Sequence, residues 1–494
     1  MRRSLLLLCA GLSACIGERG PLTNRMAHSG TNYLERAARQ PVLWQPWGRE
    51  AFALAARLDR PVLLYVGGDN CRWCAETDRA IYADPEIGGL INSLFVPVRV
   101  DRDERPDVAH HYQTAVEHLA GLRGWPLTVF LTADGAAFFG GTYFPADDPV
   151  TGRGLKQLLP EVAKSYHEQR SFVVQQAAMV QELARTGDPA SPGPLRPELI
   201  QQSTIAVMRD LNEAVHNHTA GGSVVYAEAV SLLLGDSLAQ ARASALRALD
   251  FMLDTSASIV GEDPPLLVRA ALAGSLASAW MATGGERYRD AGRALVRTLA
   301  KELPDAGVFA DQRAYAIGKL LNAALTLRDS VTAIRARAAL DALLQRTYAR
   351  GWGVRHAIPA PLGAVLPQTL QDQVEVGLAC IAAHRLDSDP RYRDVAIDLA
   401  GIIQKNYADS SGGYFDTADG TDRAKYVLDD VLPGANARAA LFFQHLAHVT
   451  GDRSYRRRAQ RTLETFAGGI GEGGGAGIRA TAFVAATRQL LETP

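Results

Sequence analysis

Residues 60–82, "RPVLLYVGGDNCRWCAETDRAIY", carry the pattern that decides the fold. The run "RPVLLYV" is continuously apolar and partly β-branched, which predicts a buried strand. Gly67, Gly68, Asp69 and Asn70 form a turn, and helical periodicity begins at "CRWC". Strand, tight turn, Cys-x-x-Cys and helix in that order put Cys71 at a helix N-terminus. Unsatisfied N–H groups there favour a thiolate, and Arg72 adds a positive neighbour. Cys71 is the expected attacking thiol and Cys74, one turn later, the resolving thiol. Trp73 is expected among the substrate-binding residues.

The alternation continues outward. Asp84 and Pro85 read as N-cap and first helical position for "PEIGGLINSLF". "FVPVRVD" (95–101) predicts a strand, and "PDVAHHYQTAVEHLAG" a helix. "PLTVFL" and "AAFFGGTYF" flank Asp134-Gly135, a hairpin signal. Pro126 stands immediately before that hairpin. Thioredoxin folds carry a cis-proline facing the disulfide at this point, and cis bonds are almost confined to proline. Pro126 is therefore expected to shape the substrate-binding edge. His110 and His111 are adjacent on one helix, point in different directions, and read as core or surface residues.

The whole chain has 494 residues, enough for two or three domains. Its net charge is -1 with no dense basic block, so nucleic acid is not expected as a partner. Hydrophobic residues at 47% and charged residues at 21% are the balance of a globular protein. Five cysteines are present. Cys380 lies on the apolar face of a helix and reads as core. Zinc normally takes four ligands, and no second Cys-x-x-Cys supplies the remainder, so no metal site and no cofactor are expected. A purely structural bridge between Cys71 and Cys74 would close too small a loop to stabilise much. Redox work is the leading reading of the pair.

The opening "MRRSLLLLCAGLSACIGERG" has the basic start, short apolar stretch and small residues of an export signal. Leu12-Ser13-Ala14-Cys15 resembles a bacterial lipobox, with Cys15 as the lipidated first residue of the mature chain; a plain signal is the alternative. Ile16 after Cys15 leaves no inner-membrane retention Asp, which favours the outer membrane where a cell has one. The expected location is extracytoplasmic and lipid-anchored.

"TNRMAHSGTNYLERAARQPVLWQPWGREAF", "CRWC", "VRVDRDERPDVAHHY", "GWPLTVFLTADG" and "GGTYFPADD" together resemble the thioredoxin-like domain of the spermatogenesis-associated protein 20 family. The resemblance runs from Asn24 to about Asp148 with the motifs in order. Three family histidines are replaced, by Arg72, Ala75 and Ala37, so no role of those imidazoles carries over. Tyr65 stands where thioredoxins commonly keep a buried carboxylate. An inactive remnant is the alternative to a redox domain.

"TGDPASPGPLRP" (186–197) reads as a linker. Beyond it about twelve amphipathic helices are expected. A turn followed by Tyr, with Ala three residues later, recurs at Tyr288, Tyr392 and Tyr455. Repeated helix pairs fit an (α/α)6 toroid of the six-hairpin glycosidase type, and a generic helical solenoid is the alternative. The same family carries such a toroid. The resemblance implies that Asp372, Asp430 and Asn436 line its cavity. The family's "PHFEKMLYDQA"-like segment is missing, with "GEDPPLLVRAALAGSLAS" in its place. Glycoside hydrolysis needs two carboxyl groups about 5–9.5 Å apart. Asp372, Asp429, Asp430, Glu262 and Asp263 are candidates, and no spacing singles out a pair.

The expected organisation is a lipoprotein signal at 1–15, an α/β thioredoxin-like domain at 24–185, a linker at 186–197 and an all-α toroid at 198–494. The expected function is thiol–disulfide exchange or redox-dependent binding, with a protein thiol or disulfide as partner. The alternatives are a carbohydrate-active or carbohydrate-binding protein with a small carbohydrate-like ligand, and a non-catalytic scaffold.

Overall fold

The computed structural model describes residues 22–148, 154–185, 187–188, 190–220, 222–256, 265–303, 309–357, 366–420, 423–471 and 476–492. The expected signal with Cys15, and the candidates Glu262 and Asp263, lie outside them.

The first domain runs α1 (Asn32–Arg36), β1 (Gln45–Pro46), α2 (Arg49–Leu58), β2 (Val62–Gly67), α3 (Arg72–Thr77), α4 (Pro85–Leu94), β3 (Val96–Asp101), α5 (Pro106–Ala120), β4 (Leu127–Leu131), β5 (Ala137–Gly141), α6 (Leu155–Glu168) and α7 (Arg170–Ala184). The strands form one sheet in the order β1-β3-β2-β4-β5. The first three are parallel, and β4 and β5 run antiparallel. Every residue of β2 is buried because helices cover both faces. Leu63 and Tyr65 enter one core, and Val62, Leu64 and Val66 the other, which is the period-two alternation of a strand. As the sequence predicts, Asp84 caps α4 by accepting from Glu86 N, with Pro85 at its first position.

The second domain contains α8 (Pro197–His216), α9 (Val224–Leu234), α10 (Ala239–Ser256), α11 (Leu266–Thr283), α12 (Glu286–Glu302), α13 (Ala310–Thr326), α14 (Ser330–Thr347), α15 (Leu370–Asp387), α16 (Pro390–Asn406), α17 (Ala435–Thr450), α18 (Arg453–Glu464), α19 (Ala467–Gly471) and α20 (Thr481–Glu492). Helices α9, α11, α13, α15, α17 and α20 each pack on the next, and α20 returns to α9. That closed inner ring, wrapped by α8, α10, α12, α14, α16 and α18, is an (α/α)6 toroid. Inner helices are buried on most sides and outer ones on one face, which accounts for the strong amphipathicity of the latter. Helix α11 has the length and hydropathy of a membrane span, but those properties fit its place in the inner ring. Cys380 is buried in α15, as expected.

The recurring tyrosines tie the outer layer together. Tyr288 donates to Asp250 on α10 at 3.0 Å, and Tyr392 donates to Asp341 on α14 at 2.8 Å. Tyr455 instead stacks on Phe443.

The first domain packs against the end of the ring where α13, α15 and α17 begin. Trp125 Nε1 donates to Asp430 at 3.3 Å, and the His110 and Tyr426 rings lie 4.6 Å apart. The segment read as a linker is docked. Asp188 accepts from Val427 N and Leu428 N at 2.7 and 2.8 Å, and Gly193 N donates to Glu464 O. The ring axis at this end is filled by an apolar cluster of Val224, Leu267 and Tyr315 with Val431 and Leu432.

Candidate functional site

Cys71 is the N-cap of α3, with extended backbone, and its sulfur accepts from Cys74 N at 3.1 Å. The two cysteines form a disulfide, with Cys74 buried and Cys71 partly exposed. An N-cap sulfur faces the free N–H groups of the first turn, and those groups stabilise a thiolate once the bridge is reduced. Register places Pro126 close by, because Val66 at the end of β2 pairs with Leu127 at the start of β4. The Trp125–Pro126 peptide is cis. Trp73 is 58% exposed and leans on Tyr143, with ring centroids 5.5 Å apart. Arg72 and Ala75 face solvent, whereas Ala37 is buried.

The floor beneath the pair is aromatic and charged. Tyr65 donates to Cys74 O at 3.4 Å and packs edge-on against Tyr82. Arg99, fully buried, makes a two-pronged pair with Asp78 at 2.7 Å per arm and lies over the Tyr33 ring at 4.2 Å. Gly67 admits no side chain here: a Cβ would meet Tyr33 Oη at 2.3 Å and Cys74 Sγ at 3.0 Å.

Residue-type reasoning missed a buried carboxyl in this region. Asp101 ends β3 directly across from Gly67. Burial, reinforced by the Asp103 charge, pushes its pKa up to about 7. The fragment "VRVDRD" shows an acid ending a strand, yet only the packing of β3 beside β2 shows that it is buried.

The three expected toroid residues do not converge. Asp372 is fully buried and accepts from His356 Nδ1 and Asp311 N at 3.0 Å and from Thr369 Oγ1 at 2.6 Å. Asn436 accepts from Tyr414 N and donates to the carbonyls of Tyr414 and Tyr426, clamping the 414–426 loop to α17. Both are fully buried and, among the described residues, neither lines the large cavity of the ring, which corrects the expectation for both: helix-start acids and amides here satisfy backbone and buried partners. Asp430 alone reaches a cavity, a small one of about 80 Å³ between the domains beside Trp125 and Arg102. Asp429 accepts from Gly434 N and Ala482 N, and burial pushes its pKa up to about 7.

Asp311, His356 and Asp372 bring three possible metal-ligand atoms together. Yet His356 Nδ1 faces the Asp372 carboxylate, while Nε2 lies 2.8 Å from Asp103 O. Two acceptors demand two N–H donors, so the ring is an imidazolium with no lone pair for a metal. Burial opposes that charge, but Asp372 and Asp311 outweigh it and push the pKa up to about 10. The cluster is a buried ion pair joining the two domains.

Residues 23–184 match the Thioredox_DsbH family, described as "Protein of unknown function, DUF255". Human spermatogenesis-associated protein 20 is 38% identical over 157 residues, which are 32% of this chain and 20% of that protein. The uncharacterized protein B0495.5 of Caenorhabditis elegans is 35% identical over 160 residues, 32% of this chain and 22% of that one. The match thus spans about a fifth of the length of these curated relatives. Among solved structures, an unsaturated glucuronyl hydrolase specific for heparin aligns at TM-score 0.46 and 14% identity, covering 60% of this chain and 98% of that chain. A D-mannose isomerase aligns at TM-score 0.43 and 11% identity, covering 62% and 100%. Likeness at that level carries no substrate or mechanism to this chain.

Proposed function

We propose that the protein is a thiol–disulfide oxidoreductase, or a redox-dependent binding protein, acting outside the cytoplasmic membrane on a tether at Cys15. The observation that carries the reading is the partly exposed Cys71 sulfur at a helix N-cap, bridged to a buried Cys74 and flanked by cis-Pro126. In the reduced form, the Cys71 thiolate attacks a partner disulfide. An S–S bond to Cys71 forms, and one partner thiolate leaves. Cys74, as thiolate, then attacks Cys71 Sγ, restoring the intramolecular bridge and releasing the second partner thiolate. Two electrons pass to the partner, and a dithiol reductant must return them for a further cycle.

The toroid supports this reading better than glycoside hydrolysis. Glu375, the carboxylate among the described residues lining its large cavity, is held by both arms of Arg438. Glu228, the second acid at the cavity floor, is likewise held by Lys319, so neither stands as a free acid or base there.

Expression of a Cys74→Ser variant in its host is expected to accumulate a mixed disulfide through Cys71, identifiable by mass spectrometry and absent from Cys71→Ser. Cysteines inert to both dithiol reductant and alkylating agent in the native protein would overturn the proposal.

A further inference from the structure

The six inner helices surround one axis, and the first domain occupies only the end where three of them start. Toward the other end, the C-terminal halves of α9, α11 and α13 face α15 and α17 around a cavity of about 560 Å³. That volume falls in the range of small-molecule sites, roughly 300–1,000 Å³. It exists because small residues, among them Gly274, Ala277, Gly318 and Ala382, point inward where larger ones would fill the axis.

The cavity floor is charged and balanced. Lys319 Nζ donates to Glu228 Oε2 at 2.7 Å, and Glu228 also takes the hydroxyl of Tyr315. Arg438 grips Glu375 with both arms, at 2.7 and 2.6 Å. Two acids and two bases thus neutralise one another, and the apolar cluster around Tyr315 lies beyond them.

Higher in the cavity the balance fails. Arg385, on α15, donates to His445 Nδ1 on α17 at 2.8 Å. Among the described residues no carboxylate lies within ion-pair distance of it. His445 does not take the part of one. Burial, with the charges of Arg385 and Arg438 added, pushes its pKa down to about 3, so it stays neutral. Accepting through Nδ1 leaves its proton on Nε2 and orients the guanidinium without cancelling its charge.

A simpler account is that Arg385 offsets the negative C-terminal end of α15, where it occupies the last turn. Such an arginine would bond the last carbonyls of its own helix. Among the described residues Arg385 instead bonds His445 across the groove, and its side chain lines the cavity wall. Ser278 and Asn322 add hydroxyl and amide groups to the same wall.

We propose that this cavity binds a small organic anion, with one carboxylate or phosphate group seated on Arg385 and a polar body over Ser278 and Asn322. The charge calls for an anion, since a guanidinium fork recognises either group through paired N–H bonds. The volume calls for more than an inorganic ion. Entry is from the mouth rimmed by Met281, which is 68% exposed, and not from the side of the cysteines.

Calorimetric titration of the full chain tests this with three probes of similar body: glucuronate, glucose 6-phosphate and glucose. Saturable binding of one acidic probe at about millimolar Kd or tighter is expected, with glucose at least roughly tenfold weaker. Whichever acid binds distinguishes carboxylate from phosphate as the group on Arg385. Arg385→Gln should weaken that binding by roughly tenfold or more, and raised salt should weaken it in the native protein. The thermal melt of unliganded Arg385→Gln should match the native melt, since the residue is exposed and pairs with no acid among the described residues. Equal binding of glucose, equal binding by Arg385→Gln, or binding of neither acid would overturn the proposal.

Discussion

His356 Nε2 lies 2.8 Å from the carbonyl oxygen of Asp103, a contact between residues 253 positions apart and between the two domains. Its other nitrogen lies 3.0 Å from Asp372, so this one protonated ring holds a buried carboxylate and a carbonyl at once. The folded pKa, about 10, exceeds the ordinary histidine value of about 6.5. The stabilisation is therefore fully present below about pH 6.5 and is lost as pH rises through about 10.

His356→Gln should accordingly cost about 3–5 kcal/mol at neutral pH, because it leaves Asp372 buried with its charge uncompensated. Urea unfolding at a series of pH values checks both parts. Native stability should decline between about pH 7 and 10, and the variant should start lower and lack most of that decline. Parallel pH curves for the two proteins would contradict the assignment.

Asp101 gives a second pH signature, of opposite origin. Its folded pKa lies above the unfolded value of about 3.9, so a cost appears as pH rises from about 4 through 7. Asp101→Asn removes the ionisation and should melt at a higher temperature than the native protein at pH 8, with the gap closing near pH 4. Asp101 also ends its strand across from Gly67, where an added Cβ would stand 3.0 Å from the Cys74 sulfur, so a part for Asp101 in taking the Cys74 proton is testable. The exchange rate of the variant with a dithiol substrate should fall several-fold and lose its inflection near neutral pH. A variant with an unchanged pH–rate profile would confine Asp101 to a structural role.

Trp73 is exposed beside the disulfide and packs mainly on Tyr143. Trp73→Ala should change folding stability by less than about 0.5 kcal/mol, as is usual for surface sites. Steady-state kinetics should show a KM for a protein disulfide raised several-fold, with little change for a small disulfide that never reaches the indole. An equal effect on both substrates would argue for altered chemistry at Cys71 instead.

The first domain was legible where chemistry and local pattern coincide. An apolar run, two glycines and a Cys-x-x-Cys motif define β2, the turn and the N-cap without tertiary information. Pro126 was legible from its place before the hairpin, and its peptide is cis. The ring was legible from the recurring tyrosines, whose bonds from α12 to α10 and from α16 to α14 explain their recurrence. Residues whose role depends on distant neighbours were not. His356 sits in an unremarkable "GVRHA" segment and gains meaning only against Asp103. Asp372 and Asn436 were expected to face a cavity because they match positions of the family that the chain resembles. Whether such residues meet ligand or backbone depends on the 414–434 loop and on the domain that covers that end.

Among the described residues the first domain and Val431–Leu432 block one mouth, which makes the ring a blind vessel rather than a tunnel. A solute that enters must back out the way it came, and none can be handed along the axis to the sulfur pair. Severing the chain between 184 and 197 would also strip Val427 and Leu428 of the carboxylate that holds their amides. Each half would then carry a raw face shaped for the other, so the two pieces are better produced together than apart.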